Sequence, residues 1–221
     1  MTQKLYKETF EKISDDKRRR IMEAATKEFA EKGFTAANIN TIAKNAGISI
    51  GSMYNYFASK EDLFLTLFEM GYKILEDALV DVSTMEGNIF DKFEQLIRVA
   101  QQTSKEYREM TQIYLDFTSE GLTHLSHRLS RRFESITAQY YHEMLRQAKA
   151  ENLIDNELDE EVMSFCLDNL VVLLQFSYSS QYYRERMKIF AGESALDDDE
   201  RVIQGIMRFI RGALTPLAQR N

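Results

Sequence analysis

Proline is almost missing from this sequence: the one proline in 221 residues, Pro216, stands close to the C-terminal end. Nothing before it forbids long helices, because no ring removes a backbone donor or clashes with the preceding turn. Cysteine is equally scarce, and a lone Cys166 excludes an internal disulfide. Its setting, SFCLDNLVVLL, reads as a buried helix face, so the thiol is expected in the core. No stretch reaches about 18 uncharged apolar residues, and the opening MTQKLYKETFEKISDDKRRR has no apolar run of signal-peptide length. A cytoplasmic protein is the expectation. There is also no glycine-rich phosphate loop, no GxSxG elbow, and no histidine on the helix of Cys166 to activate it. Catalysis is therefore not expected, and no cofactor is implied.

What is present is ordinary for a globular chain, with 44% hydrophobic and 29% charged residues. The length suffices for one large or two small domains with a real core. Apolar residues recur at three and four, without sustained alternation, which predicts an almost wholly helical protein. The net charge of −7 is unevenly spread: residues 1–60 carry 11 Lys and Arg against 7 Asp and Glu, and the remainder 17 against 28. A basic head on an acidic body fits a DNA reader joined to a separate partner or sensor domain.

Residues 1–14 read as an arm whose Leu5, Tyr6 and Phe10 could pack on the first helix. Its Lys4, Lys7 and Lys12 would also suit a DNA minor groove, but Glu8 and Glu11 dilute that charge and favour packing. Ser14, Asp15 and Asp16 make a helix start, and the helix runs to Lys32 and Gly33 with Ile21, Ala24, Ala25 and Phe29 inward. The basic run Lys17–Arg20 opposes the dipole there, a cost that nearby phosphate would offset.

The stretch from Asn38 to Lys60, NINTIAKNAGISIGSMYNYFASK, is the most informative. Asn38 can cap a short helix whose Ile42, Ala43 and Ala46 share one face, and Gly47 frees the backbone to end it. Ser49 then caps a second helix with Met53 and Phe57 inward at i, i+4. Gly51, Ser52, Tyr54, Asn55 and Tyr56 are left on or near the open side. Helix, glycine turn, helix is the helix-turn-helix layout. Ser59 and Asp62 open a further helix through Leu63, Phe64, Leu67 and Phe68 toward Leu79, broken at Thr84–Asn88. Later helices are predicted over roughly 88–104, 106–119, 122–150, 159–190 and 198–215.

The segments RRRIMEAATKEFAEKGF, INTIAKNAGIS and GSMYNYFASKEDLF, in this order and spacing from about Lys17 to about Leu67, resemble the DNA-binding domain of the TetR family of bacterial transcriptional repressors. The resemblance implies an all-α fold: an arm (1–14), a three-helix helix-turn-helix DNA-binding domain (15–65), and a helical ligand-binding and dimerisation domain (66–221). The second helix of the pair would enter the major groove. Carried over by position, Asn40, Ile50, Gly51, Ser52 and Tyr54 are base-reading candidates. Asn38, Thr41, Tyr54, Tyr56 and Lys60 are phosphate-contact candidates. Ile50 departs from the Lys or Gln of many relatives and suggests contact with a thymine methyl or no direct readout. Tyr54 has a second reading, packing on the first helix.

The same resemblance implies a homodimer paired through the last two long helices, bound to a double-stranded palindromic operator and released by a small apolar or aromatic effector. Met110, Tyr114, Phe117, Phe133, Tyr140, Met144, Met163, Phe165, Phe176 and Tyr178 are candidate pocket residues, although such stripes are commonly core. Leu167, Leu170, Val171, Leu174, Tyr178, Ile203, Ile206, Met207, Ile210 and Leu214 read either as dimer contacts or as core. Glu120, His124 and His127 have spacing that a divalent metal could use, but no fourth ligand is evident and no metal is expected. The run Asp197–Glu200 reads as an acidic helix start rather than a catalytic cluster. Competing readings are a DNA binder governed by a protein partner, a helical enzyme with a regulatory head, and activation in place of repression.

Overall fold

The computed structural model of the protein describes residues 4–118 and 123–216, with side chains of 123–133 left aside. Among the described residues it is all helical: α1 (Glu8–Glu11), α2 (Asp15–Ala36), α3 (Ile39–Asn45), α4 (Ile50–Tyr56), α5 (Lys60–Thr84), α6 (Ile89–Glu106), α7 (Arg108–Phe117), α8 (Thr123–Ala150), α9 (Glu160–Ser179), α10 (Gln181–Ala191), a 3-10 turn (Glu193–Leu196) and α11 (Asp199–Leu214). The chain divides into two compact units. One comprises Met1–Ile74 with Glu109–Thr123, the other Leu75–Arg108 with His124–Asn221.

In the first unit, Ser14 caps α2 by accepting from the Lys17 N–H at 3.4 Å. The basic first turn is compensated within the helix, where Arg18 pairs with Asp15 and both Arg19 and Arg20 with Asp16. Phosphate is not needed to offset those charges. Gly33, at φ +67, kinks α2 near its end in a conformation that a Cβ would oppose. Ile21, Ala25, Phe29, Ile42, Met53, Phe57, Leu63 and Phe64 are buried together with Phe117 of α7. Phe29 and Phe64 meet edge-on at 5.0 Å, and Phe68 packs on Phe117 at 4.1 Å. Each such ring contributes roughly 1.5–3 kcal/mol by leaving water.

The second unit is built around α6, α8, α9 and α11, with Leu79, Phe93, Ile97, Tyr141, Leu145, Ile154, Leu167, Leu174, Ile203, Met207 and Ile210 in one core. Asn88 and Asp91 close a reciprocal cap at the start of α6, Asp159 caps α9 and Asp198 caps α11. The Asp197–Glu200 run is thus a helix start. The helix expected over 159–190 is two helices, because Ser180 is extended at φ −89, ψ 134. A serine cluster precedes the break. Ser177 and Ser179 turn their hydroxyls onto the Leu173 and Phe176 carbonyls, the local bonding by which serine competes with helix propagation.

Two further expectations change. Cys166 is exposed rather than buried. The apolar run around it supplies both faces of α9: Ser164, Leu167, Val171, Leu174 and Tyr178 point inward, whereas Val162, Phe165, Cys166 and Leu173 point out. Helix α9 is also long and apolar enough, by length and composition, to cross a membrane, yet its inner stripe belongs to the core of this unit.

Candidate nucleic-acid interface

Helix α3 begins where the Asn38 side chain accepts the Asn40 N–H at 2.9 Å, and the Asn38 N–H in turn donates to Glu28 at 3.0 Å. It ends in a Schellman turn, with the Ile48 N–H on the Ala43 carbonyl (3.0 Å) and the Gly47 N–H on Lys44 (3.1 Å). Gly47 sits at φ +69, and a Cβ there would come within 3.1 Å of the Arg20 guanidinium, which donates to the Ala46 carbonyl at 3.2 Å. Glycine at this position therefore meets both a backbone and a space requirement.

Helix α4 starts as the sequence predicts, with the Ser49 hydroxyl accepting the Ser52 N–H at 3.1 Å and lying 2.9 Å from the Ser52 hydroxyl. Met53 and Phe57 are fully buried, which fixes the roll of the helix. Ile50, Gly51, Tyr54 and Asn55 are left exposed and Ser52 partly so. Ile50 is 38% and Tyr54 47% exposed, so Tyr54 does not take the packing role weighed for it. On α3 and its cap, Asn38 and Asn40 are exposed and Thr41 partly so. These small and polar groups share one end of the helix pair, where hydrogen-bonding groups can meet base edges and backbone phosphate.

Tyr56 departs from expectation. Its ring is buried to 7% exposure, 5.8 Å from Phe10, with the Lys17 ammonium 5.4 Å from its centre. Packing against the arm withdraws it from the open side. Lys60 is also engaged, its ammonium donating to the Thr35 and Ala37 carbonyls at 3.1 and 3.0 Å and standing 4.9 Å from the Phe34 ring. That cation caps the end of α2.

The sequence did not reveal how the arm serves α4. The Lys7 N–H donates to the Tyr56 carbonyl at 2.8 Å, the Lys7 ammonium to the Tyr54 carbonyl at 2.7 Å, and the Thr9 hydroxyl to the Asn55 carbonyl. Three of the last carbonyls of α4 are thereby satisfied from outside the helix. Phe10 fixes the arm by packing 4.7 Å from Phe57, and Arg18 of α2 holds it through the Glu11 carbonyl at 2.9 Å.

Residues 21–67, which hold this helix pair, match the profile of bacterial regulatory proteins of the tetR family. The regulator YhgD of Bacillus subtilis, named as HTH-type, is 24% identical over 173 residues, covering 77% of this chain and 88% of its own length. A TetR-family transcriptional regulator from Chloroflexus aurantiacus has the same fold, with a TM-score of 0.71, 21% identity, and coverage of 96% of this chain and 99% of that one. Its helix-turn-helix segment is of the tetR type. A further structural neighbour, the regulator FadR of Bacillus subtilis in complex with stearoyl-CoA, gives a TM-score of 0.66 at 17% identity, covering 84% of this chain and 95% of that one.

Among the described residues the chain is all-α, with the helix-turn-helix segment followed by a helical body. The residues expected to line an effector pocket divide between the two units. Met110, Tyr114 and Phe117 of α7 belong to the first compact unit, and Tyr140, Met144, Met163, Phe165, Phe176 and Tyr178 to the second. Phe165 is 70% exposed, because it lies on the outward face of α9, and cannot line an enclosed cavity there. Met144 is buried in the core, while Phe176 packs 5.5 Å from Tyr183 of α10. The Tyr178 hydroxyl takes a hydrogen bond from Gln101 and lies 3.4 Å from Asp199. Phe133, Glu120 and the side chains of His124 and His127 lie outside the described residues. Among the described residues no three His, Cys, Asp or Glu side chains are grouped to hold a metal ion.

One body residue that the sequence reading passed over is Asp168. Burial, with the charge of Glu134, pushes its carboxyl up to about 6. The signal was available, since an acid interrupts the apolar run SFCLDNLVVLL.

Proposed function

We propose that this protein is a sequence-specific DNA-binding regulator, a homodimeric repressor that leaves a palindromic operator when a small effector binds its body. The observation that carries the reading is the exposed N-terminal face of α4. The side chains of Ile50 and Tyr54 and the backbone of Gly51 are exposed and Ser52 is partly so, while Met53 and Phe57 anchor the helix from behind. Asn40 joins Ile50, Gly51, Ser52 and Tyr54 as the base-facing set, and Asn38, Thr41 and Lys60 serve phosphate. The apolar Ile50 would favour a thymine methyl over a guanine edge.

Pairing through α9 and α11 is supported by what those helices leave uncovered. Val162, Phe165 and Leu173 on α9 and Phe209 on α11 are exposed, and Gly205 and Gly212 flank Phe209 with open space before them. Bare glycines admit a close second helix. The residues first considered for pairing, Leu167, Val171, Leu174, Tyr178, Ile203, Met207, Ile210 and Leu214, are instead buried within one chain, since their stripe faces the core. Two heads about 34–36 Å apart would meet successive major grooves.

Effector control is supported by the neighbour that holds stearoyl-CoA. An effector shifts the DNA-binding equilibrium only by its differential affinity for the two states. Helix α5 runs unbroken from Lys60 to Thr84 and belongs to both units, which makes it one of the three covalent connections between them. Selection from a random duplex library tests the reading. Enrichment of a palindrome with half-sites one helical turn apart is expected, and recovery of unrelated sequences would overturn it.

A further inference from the structure

Helix α4 is only seven residues long, and a helix so short does not hold itself together in water. Ser49 closes its first turn, and Met53 and Phe57 keep one side in the core. Its last turn ends differently, because Phe57 is extended at φ −123, ψ 135 and so provides no left-handed residue to fold the chain back onto the last carbonyls. Four carbonyls need donors there. The Phe57 N–H takes that of Met53 at 2.9 Å, and the arm takes the other three with one donor each. The Lys7 ammonium meets Tyr54 at 2.7 Å, the Thr9 hydroxyl meets Asn55, and the Lys7 N–H meets Tyr56 at 2.8 Å.

Carbonyls of three successive residues lie about 100° apart around a helix axis, so bonds to all three resist rotation of α4 as well as unwinding of its last turn. The ammonium also meets the negative end of the helix dipole. The arm that carries these donors is itself pinned, by the Phe10 ring against Tyr56 and Phe57 and by the Arg18 guanidinium on the Glu11 and Ile13 carbonyls at 2.9 and 3.4 Å. Tyr54 is thus held by its carbonyl while its side chain stays exposed.

We propose that the arm is an external cap that sets the reading geometry of α4, with Lys7 and Thr9 as positioning residues on which discrimination between DNA sequences depends. The inference rests on the reading of α4 as the base-reading helix. Hydrogen bonds to base edges demand placement to within about 0.5 Å, whereas attraction to phosphate carries no sequence information and tolerates a looser helix. Loosening the cap therefore weakens binding to the selected sequence and spares binding to unrelated DNA.

Affinities of the full-length wild type, Thr9→Val, Lys7→Met and Lys7→Arg for the library-enriched duplex and a scrambled duplex, each at several salt concentrations, test this. Thr9→Val removes a hydroxyl without changing charge or shape, and should lower the ratio of the two affinities about fivefold while leaving the scrambled duplex and the salt slope unaltered. Lys7→Met should lower the ratio about tenfold, and Lys7→Arg, which keeps a cationic donor for the Tyr54 carbonyl, should stay within about twofold of wild type. Without DNA, the Asn55 and Tyr56 amides should exchange faster in Thr9→Val. Unchanged ratios in Thr9→Val and Lys7→Met, whatever their melting temperatures, would overturn the proposal by leaving the arm a purely structural role. Equal weakening of both duplexes by Lys7→Met, with the salt slope reduced by about 1, would overturn it by making Lys7 a phosphate contact. A wild type that does not discriminate would strike the base-reading helix itself, whereas a discriminating wild type with equally discriminating variants strikes the positioning alone.

Discussion

Arg98 grips Glu200 with two nitrogens, Nη1 at 2.8 Å from Oε2 and Nη2 at 3.0 Å from Oε1, while the same Nη2 meets Glu94 at 2.7 Å. The pair ties α6 to the first turn of α11. The guanidinium, with help from Gln204, holds the Glu200 carboxyl down at about 2, against 4.5 when unperturbed. Its stabilising effect is therefore present above about pH 4.5 and is lost as pH falls toward about 2. Arg98→Ala should lower the melting temperature at neutral pH and shrink the drop between neutral pH and pH ~2. Parallel melting curves with an unchanged acid drop would remove this pair from the acid response.

Asp168 has the opposite sign. The folded chain holds its proton more tightly than the unfolded chain, so stability falls as pH rises from 3.8 to about 6, and the penalty is complete at neutral pH. Asp168→Asn should stabilise the free protein by roughly 1–3 kcal/mol at neutral pH and by little at pH ~4, as read from urea unfolding. Equal gains at both values would mean that the carboxylate is not the cause.

Phe10 is buried to 3% exposure by Tyr56 and Phe57, although it stands on a helix of only four residues. Phe10→Ala should cost about 3 kcal/mol in urea unfolding, because removal leaves a cavity as well as lost apolar burial. It should also loosen the arm that satisfies the last carbonyls of α4, and hydrogen exchange at Phe57 should accelerate. A loss below about 0.5 kcal/mol would make the arm an ornament to the fold.

Lys60→Ala removes an ammonium from two carbonyls and should cost about 1–2 kcal/mol of stability. If its remaining donor also meets phosphate, the slope of log affinity against log salt should fall by about 1. A stability loss with an unaltered slope would confine Lys60 to capping the end of α2.

Much of the head could be read directly because its determinants are local. Asn38, Gly47 and Ser49 each act within a few residues of themselves, and Met53 and Phe57 orient α4 by simple i, i+4 spacing. What escaped was non-local. Lys7 reaches the Tyr54 carbonyl across 47 positions, and nothing in either neighbourhood signals the pairing. The same cause buried Tyr56, whose open-side position on the helix was covered by Phe10. In the body, apolar periodicity located the helices but not their partners. Both faces of α9 are apolar, so the pattern did not tell Leu167, which is core, from Phe165, which is exposed.

Whether the α3–α4 pair reads base sequence is measured by the ratio of affinities for the enriched duplex and for a scrambled duplex of the same composition at one fixed salt concentration. A ratio of at least about 10³ is expected, reduced by Ser52→Ala through a changed preference at one base position. A ratio near one, with both affinities falling together as salt rises, would contradict it.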